Sequence, residues 1–307
     1  MSIAIITHPS CELHDIGQGH PEQPARLGAI RDRLIASGLE MVLRHYDAPR
    51  AQRIHLERVH DPEYVTNIFE SAPVEGVHWV SPDTAMNVHT LEAALHAAGA
   101  AVKGVDLVMS GEQDAVFCAV RPPGHHAEQR GAMGFCFFNN VAVGAAHALE
   151  EHGLERVAVV DFDVHHGNGT EDIFRENPQV LFCSSFQHPF YPFTGHETDE
   201  EHIVNVTLSA GANGAQFRKE VETRWLPRLR EFKPQLVMIS AGFDAHVEDD
   251  MSYLRLKEPD YQWITEQLVD VAKCHADGRI VSCLEGGYNL SALGRSVAVH
   301  LDTLMTL

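Results

Sequence analysis

At 307 residues, 44% apolar and 21% charged, the chain is long enough to bury a sizeable core and has ordinary globular composition, with no low-complexity tract or repeat that would signal disorder or a solenoid. A formal net charge of −20 argues against a nucleic-acid partner, which favours a basic face, and would draw cationic substrates at low salt. No stretch approaches the roughly 18 apolar residues of a membrane span. The opening "MSIAIITHPS" lacks the basic flank and apolar core of a signal peptide, so the expectation is a cytoplasmic protein with no membrane partner.

In chain order, apolar β-branched runs fall at 3–7, 115–120, 157–163, 180–186, 203–208, 236–242 and 280–286. Each is strand-length and continuous rather than alternating, the pattern of a parallel sheet covered on both faces. Helical patterns separate them. "ARLGAIRDRLIA" follows an HPEQP turn, "LEAALHAAGAAVKGV" is alanine-rich, and "NNVAVGAAHALEEHG" opens on Asn139 and stops at Gly153 as capped helices do. Further helices are expected near 214–232, 259–276 and 291–305. Strand and helix alternate without a Pro/Gly/Ser-rich linker, which predicts one α/β domain over 1–307 with a mostly parallel central sheet and right-handed crossovers. The six cysteines show no CxxC spacing and read as reduced core thiols, and nothing fixes the oligomeric state, a homo-oligomer being compatible with the sequence.

Polar residues collect just after four of the apolar runs: "RPPGHHAEQRGAMGFCFFNN" (121–140), "DFDVHHGNGT" (161–170), "SAGFDAHVEDD" (240–250) and "CLEGGY" (283–288). Ligands of open α/β sheets sit beyond the carboxyl ends of the strands, so the four segments would converge on one edge. Asp163 and His165 alternate by two, which in an extended segment points both side chains the same way, and Asp244 can supply a third ligand. Two carboxylates and one neutral imidazole match a divalent cation and leave a position open, as in catalytic zinc sites. The tandem His125 and His126 offer a general base and an electrostatic partner, with Asp161 and Asn168 placed to orient them. Tyr288, after two glycines, could donate a hydrogen bond to a developing oxyanion.

In this order HPEQPARL, RPPGHHA, GFCFFNN, DFDVHHGNGT, SAGFDAH and EGGYNL resemble the zinc-dependent histone deacetylase superfamily, which also holds acetylpolyamine amidohydrolases, and the class II branch in particular. The resemblance implies zinc held by Asp163, His165 and Asp244, and His126 as general base and acid paired with Asn168. It further implies His125 paired with Asp161, and Tyr288 as oxyanion donor. It also implies Phe135 and Tyr191 lining an acyl-lysine tunnel, Asp83 at the rim, and a structural potassium near Asp161, Asp163, His165 and Ser184. The implied reaction is hydrolysis of an acetylated lysine side chain, on a peptide or protein, or of a small acetylated amine, to acetate and free amine. Two departures fall at the expected rim. Asp249, Asp250, Met251 and Ser252 stand where many class II members read Asp-Pro-Leu-Gly, and Phe193 replaces a glycine in "YPFTG".

Three rivals are weighed against lysine-type deacetylation. The acidic charge suits an acetylpolyamine amidohydrolase, but Met251 stands where a polyamine-selective relative carries glutamate. An arginase-like binuclear hydrolase would need further bridging aspartates where His166 and Asn168 stand, and a silent acyl-lysine binding module would be expected to have lost the tyrosine or a ligand.

Overall fold

The continuous apolar runs become strands in the computed structural model, which describes residues 2–307. The strands are β1 (Ile3–Thr7), β2 (Arg44–Asp47), β3 (Val77–Ser81), β4 (Thr84–Asn87), β5 (Ala115–Cys118), β6 (Val157–Asp161), β7 (Val180–Gln187), β8 (Ile203–Leu208), β9 (Leu236–Ala241) and β10 (Ile280–Leu284). Eight of them form one sheet in the order β2-β1-β5-β10-β9-β6-β7-β8, every neighbouring pair parallel. Every residue of β5, β6, β7, β9 and β10 is buried, because helices cover both faces.

Three of the strands were not expected. β2 reads RHYD and is largely exposed; an edge strand contributes backbone hydrogen bonds on one side only and needs no apolar run. β3 and β4 form a separate antiparallel hairpin, also without a long apolar stretch. The four strands that lead into the polar clusters, β5, β6, β9 and β10, stop short of the apolar runs at their carboxyl ends. β6 stops at Asp161 rather than residue 163, and β10 at Leu284 rather than 286, so Asp163, His165, Asp244 and Tyr288 lie in the loops beyond the sheet.

The expected helices form at Ala25–Ser37, Thr90–Met109, Asn140–Glu150, Glu258–His275 and Leu290–Leu304. Asn139 caps the third of these by accepting from the Ala142 N–H at 3.1 Å. The segment expected as one helix over 214–232 is helical but widens into a π-turn at Val221–Trp225, just ahead of Pro227. All six cysteines are free and five are buried, while Cys274 is exposed and so departs from the expectation of core thiols throughout. Among the described residues, no helix is long and apolar enough to cross a membrane.

Candidate active site

The four polar clusters follow β5, β10, β9 and β6, which are consecutive neighbours in the sheet, so parallel pairing alone delivers them to one edge. There the ligand atoms of Asp163, His165 and Asp244 lie within 4.8 Å of one another, all three residues buried. Asp163 and His165 do not reach this arrangement by strand alternation. They sit in a bend past β6, where the Asp163 Oδ1 accepts from the backbone N–H of His165 at 2.9 Å and lies 2.9 Å from the same residue's Nδ1. That nitrogen also faces Asp244 Oδ2 at 3.2 Å.

The packing around the carboxylates depends on missing side chains. A Cβ at Gly286 would overlap Asp244 and Asp163, and one at Gly242 would overlap Asp163, so only glycine lets the two loops close around the pair. The Gly286 N–H donates to Asp163 Oδ2 at 2.8 Å, and the Val164 N–H to Asp244 Oδ1 at 2.9 Å. Asp244 Oδ2 is buried with no hydrogen-bond partner among the described residues. Burial and the neighbouring Asp163 push the Asp244 carboxyl up to about 7. Burial opposes charge on His165 too, but the two carboxylates outweigh it and carry that imidazole up to about 10. An orphaned carboxylate oxygen facing a second carboxylate and an imidazole is a donor set that a divalent cation satisfies.

The two histidines of RPPGHH have ring centroids 4.0 Å apart with their planes tilted by 42°, and they are differently held. His125 Nδ1 donates to Asp161 Oδ2 at 2.8 Å; burial disfavours its charge, yet Asp161 and Asp163 raise its pKa well above the usual imidazole range. His126 Nδ1 meets Asn168 Oδ1 at 2.7 Å. The orientation of that amide is fixed, because Asn168 Nδ2 donates to Glu128 Oε1 at 2.7 Å and a carboxylate can only accept. His126 Nδ1 must then carry the proton, which leaves Nε2 free as an acceptor. Burial and the adjacent His125 and His165 hold His126 well below its ordinary pKa.

A cavity of about 260 Å³ opens over this floor, lined by Asp83, His126, Gly134, Phe135, His165, Phe190, Tyr191, Met251 and Tyr288. All four rim residues read from the sequence, Phe135, Tyr191, Asp83 and Met251, are therefore brought together. Asp83 is heavily engaged: Oδ2 accepts from the Tyr191 hydroxyl at 2.8 Å, and Oδ1 from Ser81, Thr84 and the Gly134 N–H. With Thr84, which accepts from the Phe135 N–H at 3.1 Å, it ties the β3–β4 turn to a loop in which Phe135 has φ 69°, a left-handed conformation costly for an aromatic residue. Phe193, in the place of a glycine, also has a positive φ of 66° but is exposed and does not line the cavity.

Several supporting residues escaped sequence reasoning. Phe190 stacks on His165 at 5.6 Å. Glu285, buried just before the GGY turn, accepts from the Gly124 and His125 N–H groups at 2.7 and 3.1 Å. Asp249 accepts from the Tyr288, Asn289 and Met251 N–H groups. Arg26, from HPEQPARL, lies 5.0 Å from the Tyr288 ring and donates to the Gly287 and Glu285 carbonyls while pairing with buried Glu22. The only signal for Glu285, Asp249 and Arg26 was their position inside the quoted motifs, and Phe190 lies outside all of them. His166 turns away from the carboxylate pair toward Glu171 and Thr194, each at 2.8 Å. Ser184, level with Asp161 across β6 and β7, has a buried hydroxyl without a partner among the described residues.

The Histone deacetylase domain family matches residues 20–304. The chain belongs to the histone deacetylase family. Histone deacetylase 14, chloroplastic, of Arabidopsis thaliana is 37% identical over 323 residues, covering 98% of this chain and 76% of that protein. Polyamine deacetylase HDAC10 of Homo sapiens is 37% identical over 315 residues, covering 97% of this chain, which spans 45% of that protein. The solved HDA15 HD domain superposes with a TM-score of 0.94 at 33% identity, covering 99% of this chain and 88% of that one. Family membership makes this histone deacetylase relative a hydrolase of the deacetylase and amidohydrolase type.

Proposed function

We propose that this chain is a zinc-dependent amidohydrolase that removes acetyl or other short acyl groups from lysine side chains or similar amines, releasing acetate. The observation that carries the reading is the convergence of Asp163 and Asp244 on His165, which lines a cavity together with His126 and Tyr288. These three residues would hold the zinc ion, which when bound supplies a Lewis acid for the amide carbonyl and lowers the pKa of water. His126, neutral and with its Nε2 lone pair free, takes the proton of the attacking water and returns it to the leaving amine.

His125, held cationic by Asp161, adds positive potential beside the forming negative charge. Burial and the Asp244 charge, against the pull of Arg26, keep the Tyr288 phenol protonated far above its ordinary range, so it can donate to the oxyanion. Phe135, Phe190, Tyr191 and Met251 give the cavity apolar walls that fit the methylene stem of an acylated amine and exclude water. The orphaned Ser184 hydroxyl near Asp161 supports a structural potassium there.

A second reading, acetylpolyamine hydrolysis, is favoured by an adjoining concavity of about 350 Å³ that shares Met251 and Tyr288 and adds Glu248, Asp249 and Asp250. The test is acetate release from an acetyl-lysine peptide compared with acetylated putrescine and spermidine, for wild type and Asp244→Ala, with bound zinc measured on both. Wild type should hydrolyse the peptide best, and Asp244→Ala should lose activity together with zinc. Full turnover by a metal-free preparation would refute the mechanism, and preference for acetylspermidine would reverse the order of the two readings.

A further inference from the structure

Outside the clusters described above, two imidazoles and a carboxylate converge where two helices end. Asp106 lies in the last turn of the helix Thr90–Met109, His147 in the last turn of Asn140–Glu150, and His152 two residues beyond that helix. Nε2 of His147 and Nε2 of His152 approach the same oxygen, Oδ1 of Asp106, at 2.8 and 2.9 Å. The two rings are 5.4 Å apart and nearly perpendicular. All three ligand atoms lie within 4.8 Å of one another.

We propose that Asp106, His147 and His152 form a second metal site, for a divalent first-row transition ion of the zinc type, separate from the deacetylase centre. Two imidazole nitrogens and one carboxylate oxygen make a borderline donor set that suits such an ion and leaves a coordination position for water or an outside ligand. The edges of a tetrahedral site with bonds of about 2.0 Å are about 3.3 Å, so loading asks each observed separation to open by a few tenths of an ångström. His147 is buried and fixes one ligand, whereas Asp106 and His152 are half-buried and leave a path for the ion.

Arg58 sets the terms of this binding. Its Nη1 lies 3.2 Å from His147 Nδ1, and because guanidinium only donates, that nitrogen is the acceptor and Nε2 bears the proton facing Asp106. An ion on Nε2 moves this proton to Nδ1, where it opposes the Arg58 donor. Arg58 already pairs with Glu151 through its other terminal nitrogen and can withdraw toward it. Arg58 therefore competes with the ion, and its removal strengthens the site.

The experiment is calorimetric titration of the whole protein with zinc chloride in a non-chelating buffer near neutral pH. Bound metal is counted after desalting, on wild type, His152→Ala and Arg58→Met. His152 lies outside the helix and is partly exposed, so its replacement leaves the fold and the deacetylase turnover intact, and that turnover serves as the check on folding. Wild type should take up one more ion per chain than His152→Ala, whatever the deacetylase site itself holds. In Arg58→Met the extra ion should bind severalfold more tightly. Equal uptake by wild type and His152→Ala overturns the site, and unchanged or weaker binding by Arg58→Met overturns the role given to Arg58.

Discussion

Replacing Asp249 by asparagine tests whether the position of Tyr288 is set from outside the cavity. Asp249 is buried, and its Oδ2 accepts from the N–H groups of Tyr288 and Asn289 at 2.6 and 2.9 Å while Oδ1 accepts from Met251 at 3.0 Å. An asparagine has one acceptor oxygen, so either the Met251 N–H or the Tyr288 and Asn289 pair loses its partner. A hydrogen bond to a charged acceptor contributes roughly 1.5–3 kcal/mol, and a buried donor left unpaired costs roughly 1–3 kcal/mol. The variant should therefore be about 2 kcal/mol less stable in urea melts yet still folded. If the lost restraint lets Tyr288 drift by about 1 Å, turnover should fall by roughly 10- to 100-fold. Zinc content should not change, because Asp249 is not among the three clustered ligands. The assay is kcat and KM for acetate release, with metal analysis and a urea melt on the same preparation. A folded, zinc-replete Asp249→Asn protein with kcat within about twofold of wild type would refute the argument that this carboxylate positions Tyr288.

Tyr288→Phe removes only the hydroxyl, so zinc content and fold should persist while kcat falls by about 10²-fold or more; a change of less than severalfold would exclude it as the oxyanion donor. Met251→Glu places a carboxylate where the 260 Å³ cavity meets the acidic concavity beside it. A partly solvated pair of that kind is worth about 1 kcal/mol, so kcat/KM for N8-acetylspermidine relative to an acetyl-lysine peptide should rise severalfold at low salt and less at high salt. An unchanged ratio would mean that residue 251 does not face the substrate. His300 is buried between Thr265 and Ser282, and burial lowers its pKa to about 3. The unfolded chain takes up this proton below about 6.5 and the folded one does not, so stability is full above that pH and is lost as pH falls toward 3. His300→Gln should make the slope of unfolding free energy against pH shallower by up to about 1.4 kcal/mol per unit in that window; identical slopes would show that the imidazole does not titrate as buried.

Much of the site was legible because its chemistry is crowded into short segments next to apolar runs. DFDVHHGNGT places Asp161, Asp163, His165 and Asn168 within eight residues, and no core requirement accounts for so many polar groups there. The same crowding misled about local geometry. Strand alternation was the wrong reason for Asp163 and His165 to face together, since a bend closed by the His165 N–H does it instead. β2 and the β3–β4 hairpin were invisible because neither buries an apolar face large enough to leave a periodic signal.

The sequence by itself determined the α/β class, the seven apolar strands and the residue types at the floor of the site, because burial on both faces of a parallel sheet demands continuous apolar runs and because polar groups beyond their ends need a reason to be there. Only the tertiary structure decided which tautomer His126 holds, since that depends on Glu128 fixing the Asn168 amide from another loop. It alone decided that Asp83 braces the Phe135 loop from the hairpin, that Asp249 grips the Tyr288 backbone, and that Asp106 meets His147 and His152 across two helix ends. Each of these is a contact between segments distant in the chain, and hydrogen bonds of about 3 Å between such segments leave no periodicity or spacing in a single sequence.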